Sequence, residues 1–271
     1  MTMSWSILFG AIVGFSLGLT GGGGAIFAVP LLVYGLAVPP REAVGISLVA
    51  VGTTSFLGFL ARWRGGMVDV KMGVLFALAG MLGAPLGSWL SGLMPEAMLL
   101  ILFGMLMLVV AQRMWQKAAK GDSAAGSQPH PALCRHTAAG GLELTSRCVL
   151  LLALVGVTVG ILTGLFGVGG GFVIVPALVL LSGMQIHRAI GTSLLVISLV
   201  SVSGVGSHLL AGRSLLPEIT ALFIAGGILG MGLGTVLARR LSSAVLQKVF
   251  AIAIIAVAGF VIGKTVFLPT R

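Results

Sequence analysis

Charge is what this sequence has least of. Of its 271 residues only 8% are Asp, Glu, Lys or Arg, and six are acidic. A soluble domain would carry roughly 25% charged residues, so this chain has too little charge to cover its surface in water. The six acids, Glu42, Asp69, Glu96, Asp122, Glu143 and Glu218, all fall at the ends of apolar segments or in one polar linker. No carboxylate pair, Ser/His pair or HExxH lies at membrane depth, so enzymatic function is not expected. Cysteine is nearly absent too: Cys134 and Cys148 give no disulfide framework. The cluster His130, Cys134 and His136 sits in a Gly/Ala/Ser/Pro-rich stretch without a second ligand pair and is read as linker, so no metal or cofactor is expected. Residues 1–6 contain no Lys or Arg. A signal peptide's positive n-region is therefore missing, and the first apolar segment is expected to be a retained span. The net charge of +10 is not arranged as a basic face interleaved with aromatics, which argues against nucleic acid as a partner.

What is present is long apolar runs. Hydrophobic residues make up 58% of the chain, with a mean hydropathy of +1.16. Several runs approach the ~20 residues that span a bilayer core as helix. They fall at about 5–19, 25–38, 43–61, 70–92 and 97–115, then, after a polar linker, at about 148–166, 172–184, 189–210, 215–238 and 244–267. The expected fold is an all-α polytopic membrane protein of 8–10 transmembrane helices, with the lipid bilayer as its first partner. The chain divides into a transmembrane repeat at 1–115, a linker at 116–146 and a second repeat at 147–271.

The two halves align on each other. Gly14, Gly18, Leu19, Gly21, Gly23, Gly24, Val29, Pro30, Leu32 and Val33 meet Gly160, Gly164, Leu165, Gly167, Gly169, Gly170, Val175, Pro176, Leu178 and Val179, a constant offset of 146. Ala43, Gly45, Ser47 and Leu48 then meet Ala189, Gly191, Ser193 and Leu194, and at an offset of 147 Gly80, Gly83 and Gly87 meet Gly227, Gly230 and Gly234. Basic residues Arg113, Lys117, Lys120, Arg135 and Arg147 flank or occupy the linker, placing it in the cytoplasm. Five crossings per repeat is an odd number, so the second repeat enters upside down, an inverted-repeat architecture common among secondary transporters. The alternative is that 25–38 and 172–184 are re-entrant.

The glycines concentrate in GLTGGGGAIFAVP at 18–30 and GLFGVGGGFVIVP at 164–176. Segment 25–38 has 14 residues, about 21 Å as helix, which makes it a half-helix entered through glycine. Non-helical backbone at that depth must be buried in protein or line a wet cavity. Inverted repeats bring the two loops together, and helix N-termini reached through glycine offer N–H groups and a positive dipole end to an anion. The candidate substrate site is therefore Thr20, Gly21, Gly22, Gly23, Gly24 and Ser47 from the first half, with Thr163, Gly167, Gly169, Gly170, Gly171, Thr192 and Ser193 from the second. Gly14/Gly18 and Gly83/Gly87 instead fit close helix packing. Neither glycine run continues into Gly-Lys-Ser/Thr, so a phosphate-binding P-loop is excluded.

The same residues carry a resemblance. The duplicated G-L-x-G-x-G-G-x-x-x-x-x-P, followed in each half by A-[VI]-G-x-S-L, resembles the sulfite exporter TauE/SafE family of membrane permeases over nearly all of the chain outside the linker. The resemblance implies export or permeation of small sulfur-containing anions such as sulfite or sulfonates across a bacterial inner membrane, with the family's glycine motifs falling on Gly21, Gly23, Gly24, Gly167, Gly169, Gly170 and Gly171. Val168 stands where the first repeat has Gly22, so the loops differ. With no carboxylate in the core, three couplings stay open: uniport, transport of a protonated substrate, or H+ or Na+ held by backbone carbonyls. A passive anion channel and a non-transport membrane assembly factor are the other functional classes, and a homo-oligomer is compatible with the sequence. His208, at the position matching Arg62, is expected to be a snorkelling or interfacial residue in preference to a proton relay. Gly23→Val or Gly169→Val is expected to abolish transport while leaving the protein membrane-inserted; normal flux through either variant removes that position from the pathway.

Overall fold

The computed structural model describes residues 2–119, 135–136, 142–143, 146–167, 170–171, 174–175, 178, 184, 186–212, 216–238, 255, 259 and 263. Helix α1 is Thr2–Thr20. A short helical run follows in three pitches: 3-10 over Gly23–Phe27, α2 over Ala28–Pro30 and π over Leu31–Gly35. Then come α3 (Pro40–Trp63), α4 (Val70–Leu93), α5 (Glu96–Ala119), α6 (Ser146–Phe166), α7 (Ile186–Leu210) and α8 (Pro217–Ala238). In the linker, Arg135–His136 and Leu142–Glu143 form a two-residue antiparallel pair.

Local signals set the boundaries. Pro40 opens α3, where a missing N–H costs nothing. The Asp69 carboxylate caps α4 by accepting from Met72 N–H at 3.1 Å. The last carbonyls of α1 receive help from afar: the Arg62 guanidinium donates to Gly18 O at 3.0 Å, a cation at a helix C-terminus. His208, the equivalent of Arg62, is buried at 1% exposure.

Among the described residues four helices, Pro40–Trp63, Val70–Leu93, His187–Leu210 and Pro217–Leu237, are long and apolar enough to cross a membrane, and Ser4–Thr20, Gly24–Gly35, Ala97–Val109 and Leu150–Phe166 are shorter apolar helices. Large side chains such as Leu210, Leu82, Trp89 and Leu233 point outward, as befits a surface solvated by lipid. The protein is an all-α polytopic membrane protein.

Glycine determines which helices touch. On α1, Gly10, Gly14 and Gly18 face the backbone of Phe223, Gly227 and Met231 on α8; on α6, Gly156, Gly160 and Gly164 face the backbone of Phe76, Gly80 and Ala84 on α4. Each contact of the first set maps onto one of the second by the offsets of 146 and 147. Lipid supplies no hydrophobic drive for helices to associate, so close backbone approach is what makes these pairs stick.

The directions of packing give the symmetry. Leu48 lies on Gly204, Gly52 on Ser201 and Gly58 on Leu194, so numbers rise on α3 as they fall on α7. These are equivalent helices of the two repeats, and they run antiparallel. The repeats are inverted.

The short run returns the chain alongside α1, from Gly24 against Ser16 and Leu17 to Gly35 against Phe9. Helix α3 then runs in the same sense as α1, since both lie parallel to α8, with Thr54 beside Gly227. A re-entrant hairpin would have left α3 starting at the far end of α1. Segment 25–38 behaves as a crossing piece; its counterpart 172–184 lies mostly outside the described residues. Helix α4 comes back, its end held at the start of α3 by Arg41 donating to Met94 O at 3.2 Å.

A Cβ on Gly14 would drive into the Gly227 carbonyl, whereas at Gly232 it would meet no atom within 4 Å. Gly14→Leu is therefore expected to cost about 3 kcal/mol or more through overpacking, while Gly232→Leu is neutral or stabilising. Thermal unfolding of purified protein in detergent checks this: equal melting temperatures for the two variants would contradict the packing described.

Candidate functional site

The seam between α3 and α7 and the two glycine loops form the centre of the molecule. Helix α1 ends where Gly21 turns into the left-handed region at φ 74°, and α6 ends the same way at Gly167, φ 69°. Each turn is closed by a backbone bond, Gly21 N–H to Leu17 O at 2.7 Å and Gly167 N–H to Thr163 O at 2.8 Å. Left-handed backbone is strained for any residue with a Cβ. Space forbids one as well: at Gly21 it would reach the Ile190 side chain at 2.5 Å, and at Gly167 the Val44 backbone at 2.8 Å. Ile190 and Val44 are themselves equivalents.

The loops meet. A Cβ on Gly22 would lie 2.5 Å from Gly171 Cα, and one on Gly171 would press on Gly22 Cα and the Ile197 side chain. These are two backbones in contact, with no gap for an ion between Gly22 and Gly171 in this conformation. Gly23 opens the 3-10 turn and Gly24 packs on Ser16 and Leu17 of α1. Gly170 sits at φ 61° against Val159 and Thr163. Gly169 and Val168 lie outside the described residues.

Most of the candidate hydroxyls are committed to backbone. Ser47 Oγ donates to Gly167 O at 2.6 Å, and Ser193 Oγ to Gly21 O at 2.7 Å. Each serine thus latches its own helix to the glycine loop of the opposite repeat, and the two latches are equivalent at the 146 offset. Ser193 also reaches Ile190 O at 2.8 Å. Thr20 bonds back to Ser16 O and Thr163 to Val159 O, both at 2.8 Å, a common use of hydroxyls inside helices. Thr192 accepts from Asp69 N–H at 2.9 Å and donates to the Met184 sulfur at 3.7 Å, tying the α3–α4 connection to α7. It has no counterpart, because the equivalent residue is Ile46.

Electrostatically the centre is neutral. Among the described residues the buried polar side chains are serines, threonines and His208. Ser55 and Ser201, a further pair of equivalents, are both buried, and Ser201 lies against Gly52 of α3. The glycine and proline pattern from Gly14 to Leu48 did not point to them, although the same offset of 146 continued by two turns would have. The arrangement as a whole can hold a small ligand by N–H groups and hydroxyls once the loops part, since the helical run starting at Gly23 leaves its first N–H groups without intrahelical partners.

Comparison with known proteins came out consistently. The sulfite exporter TauE/SafE family profile matches residues 6–261. A probable membrane transporter protein of Xylella fastidiosa is 39% identical over 94% of this chain and 93% of its own length. The probable membrane transporter protein YunE of Bacillus subtilis is 28% identical over 96% and 97%, and one of Haemophilus influenzae is 26% identical over 93% and 95%. No solved structure matches significantly.

Ser47→Ala strands the Gly167 carbonyl and Ser193→Ala the Gly21 carbonyl, each a buried acceptor whose loss of partner costs about 1–3 kcal/mol. Both variants are expected to unfold a few degrees below wild type in detergent, by similar amounts. Unchanged melting temperatures would mean that the latches contribute nothing.

Proposed function

Because the chain belongs to the sulfite exporter TauE/SafE family and its relatives are named probable membrane transporter proteins, we propose that it is a transporter and not an enzyme, and that it carries a small sulfur-containing oxyanion, of the sulfite or organosulfonate class, by alternating access. The observation that carries this reading is the meeting of two glycine loops from inverted repeats, each latched by a serine of the other repeat. Two-fold inversion places the Ser47–Gly167 and Ser193–Gly21 latches on opposite sides of the midplane. Parting one while keeping the other opens the centre to one side only. The loop N–H groups then receive the anion with no Cβ in the way. Closed contact between Gly22 and Gly171 favours a carrier over a permanently open pore. The basic linker at 116–146 supports a cytoplasmic position for that segment and, with the family resemblance, an inner-membrane location, with 1–115 and 147–271 as the two repeats.

Counterflow in proteoliposomes tests the proposal. Labelled sulfite is exchanged against unlabelled sulfite, sulfate, thiosulfate and small sulfonates. Saturable exchange accelerated by internal substrate is the expected result. Flux without counterflow identifies a channel, and folded, inserted protein that moves none of these anions ends the oxyanion reading.

A further inference from the structure

The glycine loops leave one question of chemistry open, namely which side chains touch the passenger. Ser47 and Ser193 bond to loop carbonyls, Thr54 to Ala50 O and Ser198 to Leu195 O. Ser55 and Ser201 differ. They are 0% and 2% exposed, and neither Oγ has a hydrogen-bond partner among the described residues. Helical serines ordinarily bond back to a carbonyl of the preceding turn, and buried hydroxyls without a partner are rare and call for an explanation. Here the same unsatisfied group occurs twice, at positions exactly equivalent under the 146 offset.

Their placement points to a ligand. Ser55 follows Ser47 by eight residues on α3, and Ser201 follows Ser193 by eight on α7, about 12 Å along each helix. Between Ser193 and Ser201 lies Ile197, which touches the glycine loop at Gly171. Ser201 rests on Gly52, whose missing Cβ would stand 2.7 Å from that of Ser201. It lines a cleft of about 420 Å³ between α3 and α7, walled also by Leu48, Thr53, Phe56, Ser198 and Val202. Ser55 is not among its walls. The hydroxyl oxygens of both serines are enclosed in this closed conformation, so each becomes reachable only when the seam between the repeats parts.

We propose that Ser55 and Ser201 are paired substrate-contacting hydroxyls, engaged in alternation as the repeats exchange conformations, and that they take a monovalent oxyanion. The charge follows from the surroundings: the cleft walls carry hydroxyls and apolar groups and no cation. Neutral donors in a low-dielectric seam can hold one negative charge, whereas a second charge without a counter-ion adds a steep desolvation cost. This inference rests on the oxyanion-carrier reading above.

The test joins counterflow of labelled sulfite with thermal unfolding in detergent. Wild-type protein is expected to be stabilised by methanesulfonate, and methanesulfonate is expected to compete in exchange where sulfate does not. Ser55→Ala and Ser201→Ala should each raise KM about tenfold or more, the loss of one hydrogen bond to a charged group. Their ligand-free melting temperatures should equal or exceed that of wild type, because an unsatisfied hydroxyl has been removed. Serine-to-cysteine variants, which keep the size and a weak donor, should fall between. Wild-type exchange with unchanged KM in both alanine variants overturns this inference and leaves the carrier reading standing. Alanine variants that fail to fold, or melt lower with only kcat reduced, make the serines structural and likewise overturn it. Competition by sulfate as strong as by methanesulfonate refutes the monovalent class. No exchange and no stabilisation in wild type overturns both readings together.

Discussion

Close approach of helix backbones is the constraint on which the rest of this protein depends. Lipid tails solvate leucine as well as a neighbouring helix does, so apolar surface alone does not hold a bundle together in the membrane. Here the holding is done where Gly10, Gly14 and Gly18 lie on α8, and where Gly156, Gly160 and Gly164 lie on α4. Both pairs join the first helix of one repeat to the fourth helix of the other. Neither repeat buries its glycine faces alone, which makes the duplication a structural necessity as well as a symmetry. With the outer pairs fixed across repeats, α3 and α7 are left to cross antiparallel in the middle, and the glycine loops are brought onto their seam.

Glycine is thus used in two physically different ways. In α1, α4, α6 and α8 its spacing by three or four residues produces flat helix faces. At Gly21 and Gly167 it supplies the left-handed turn that ends a helix in the interior of the molecule, and at Gly22 and Gly171 it lets two loops touch. Backbone freed at such turns must find partners within the protein. Ser47 and Ser193 supply them, each for the opposite repeat. The same contacts that satisfy the broken backbone therefore also join the halves.

Much of this was legible in the residues. Segments 43–61, 70–92, 189–210 and 215–238 became α3, α4, α7 and α8 with boundaries moved by a few residues, because long apolar runs in lipid have no other option than helix. The offsets of 146 and 147 in the sequence reappear as paired contacts in space. The roles of the hydroxyls were not legible. Thr20, Thr163, Ser47, Thr192 and Ser193 carry donors next to glycine, and the sequence does not say whether a donor faces a ligand or a carbonyl; the answer depends on how far the facing loop has been drawn in. His208 illustrates the same limit. It lies at the end of an apolar segment, yet it is buried, and burial is decided by which side of α7 meets the bundle. Whether the short run recrosses was likewise a matter of packing directions, visible only once Gly35 was seen against Phe9.

Two equivalent latches also bear on energetics. A carrier needs outward- and inward-facing states close in free energy, since moving a two-state equilibrium from 1:99 to 99:1 takes about 5.5 kcal/mol of differential binding. An inverted duplication provides near-degeneracy without tuning: in the proposed cycle each open state breaks one serine–carbonyl bond and keeps its equivalent, so the net change in hydrogen bonding is close to zero. The residual bias must come from positions where the repeats differ. Val168 in place of Gly22, Ile46 in place of Thr192 and His208 in place of Arg62 are such positions, and Arg62 and Thr192 each make a contact from which the substituted equivalent lacks the same donor or acceptor. Net differences of about 1 kcal/mol per altered hydrogen bond are large enough to set which state rests at lower energy and small enough for the binding of the proposed substrate to reverse it.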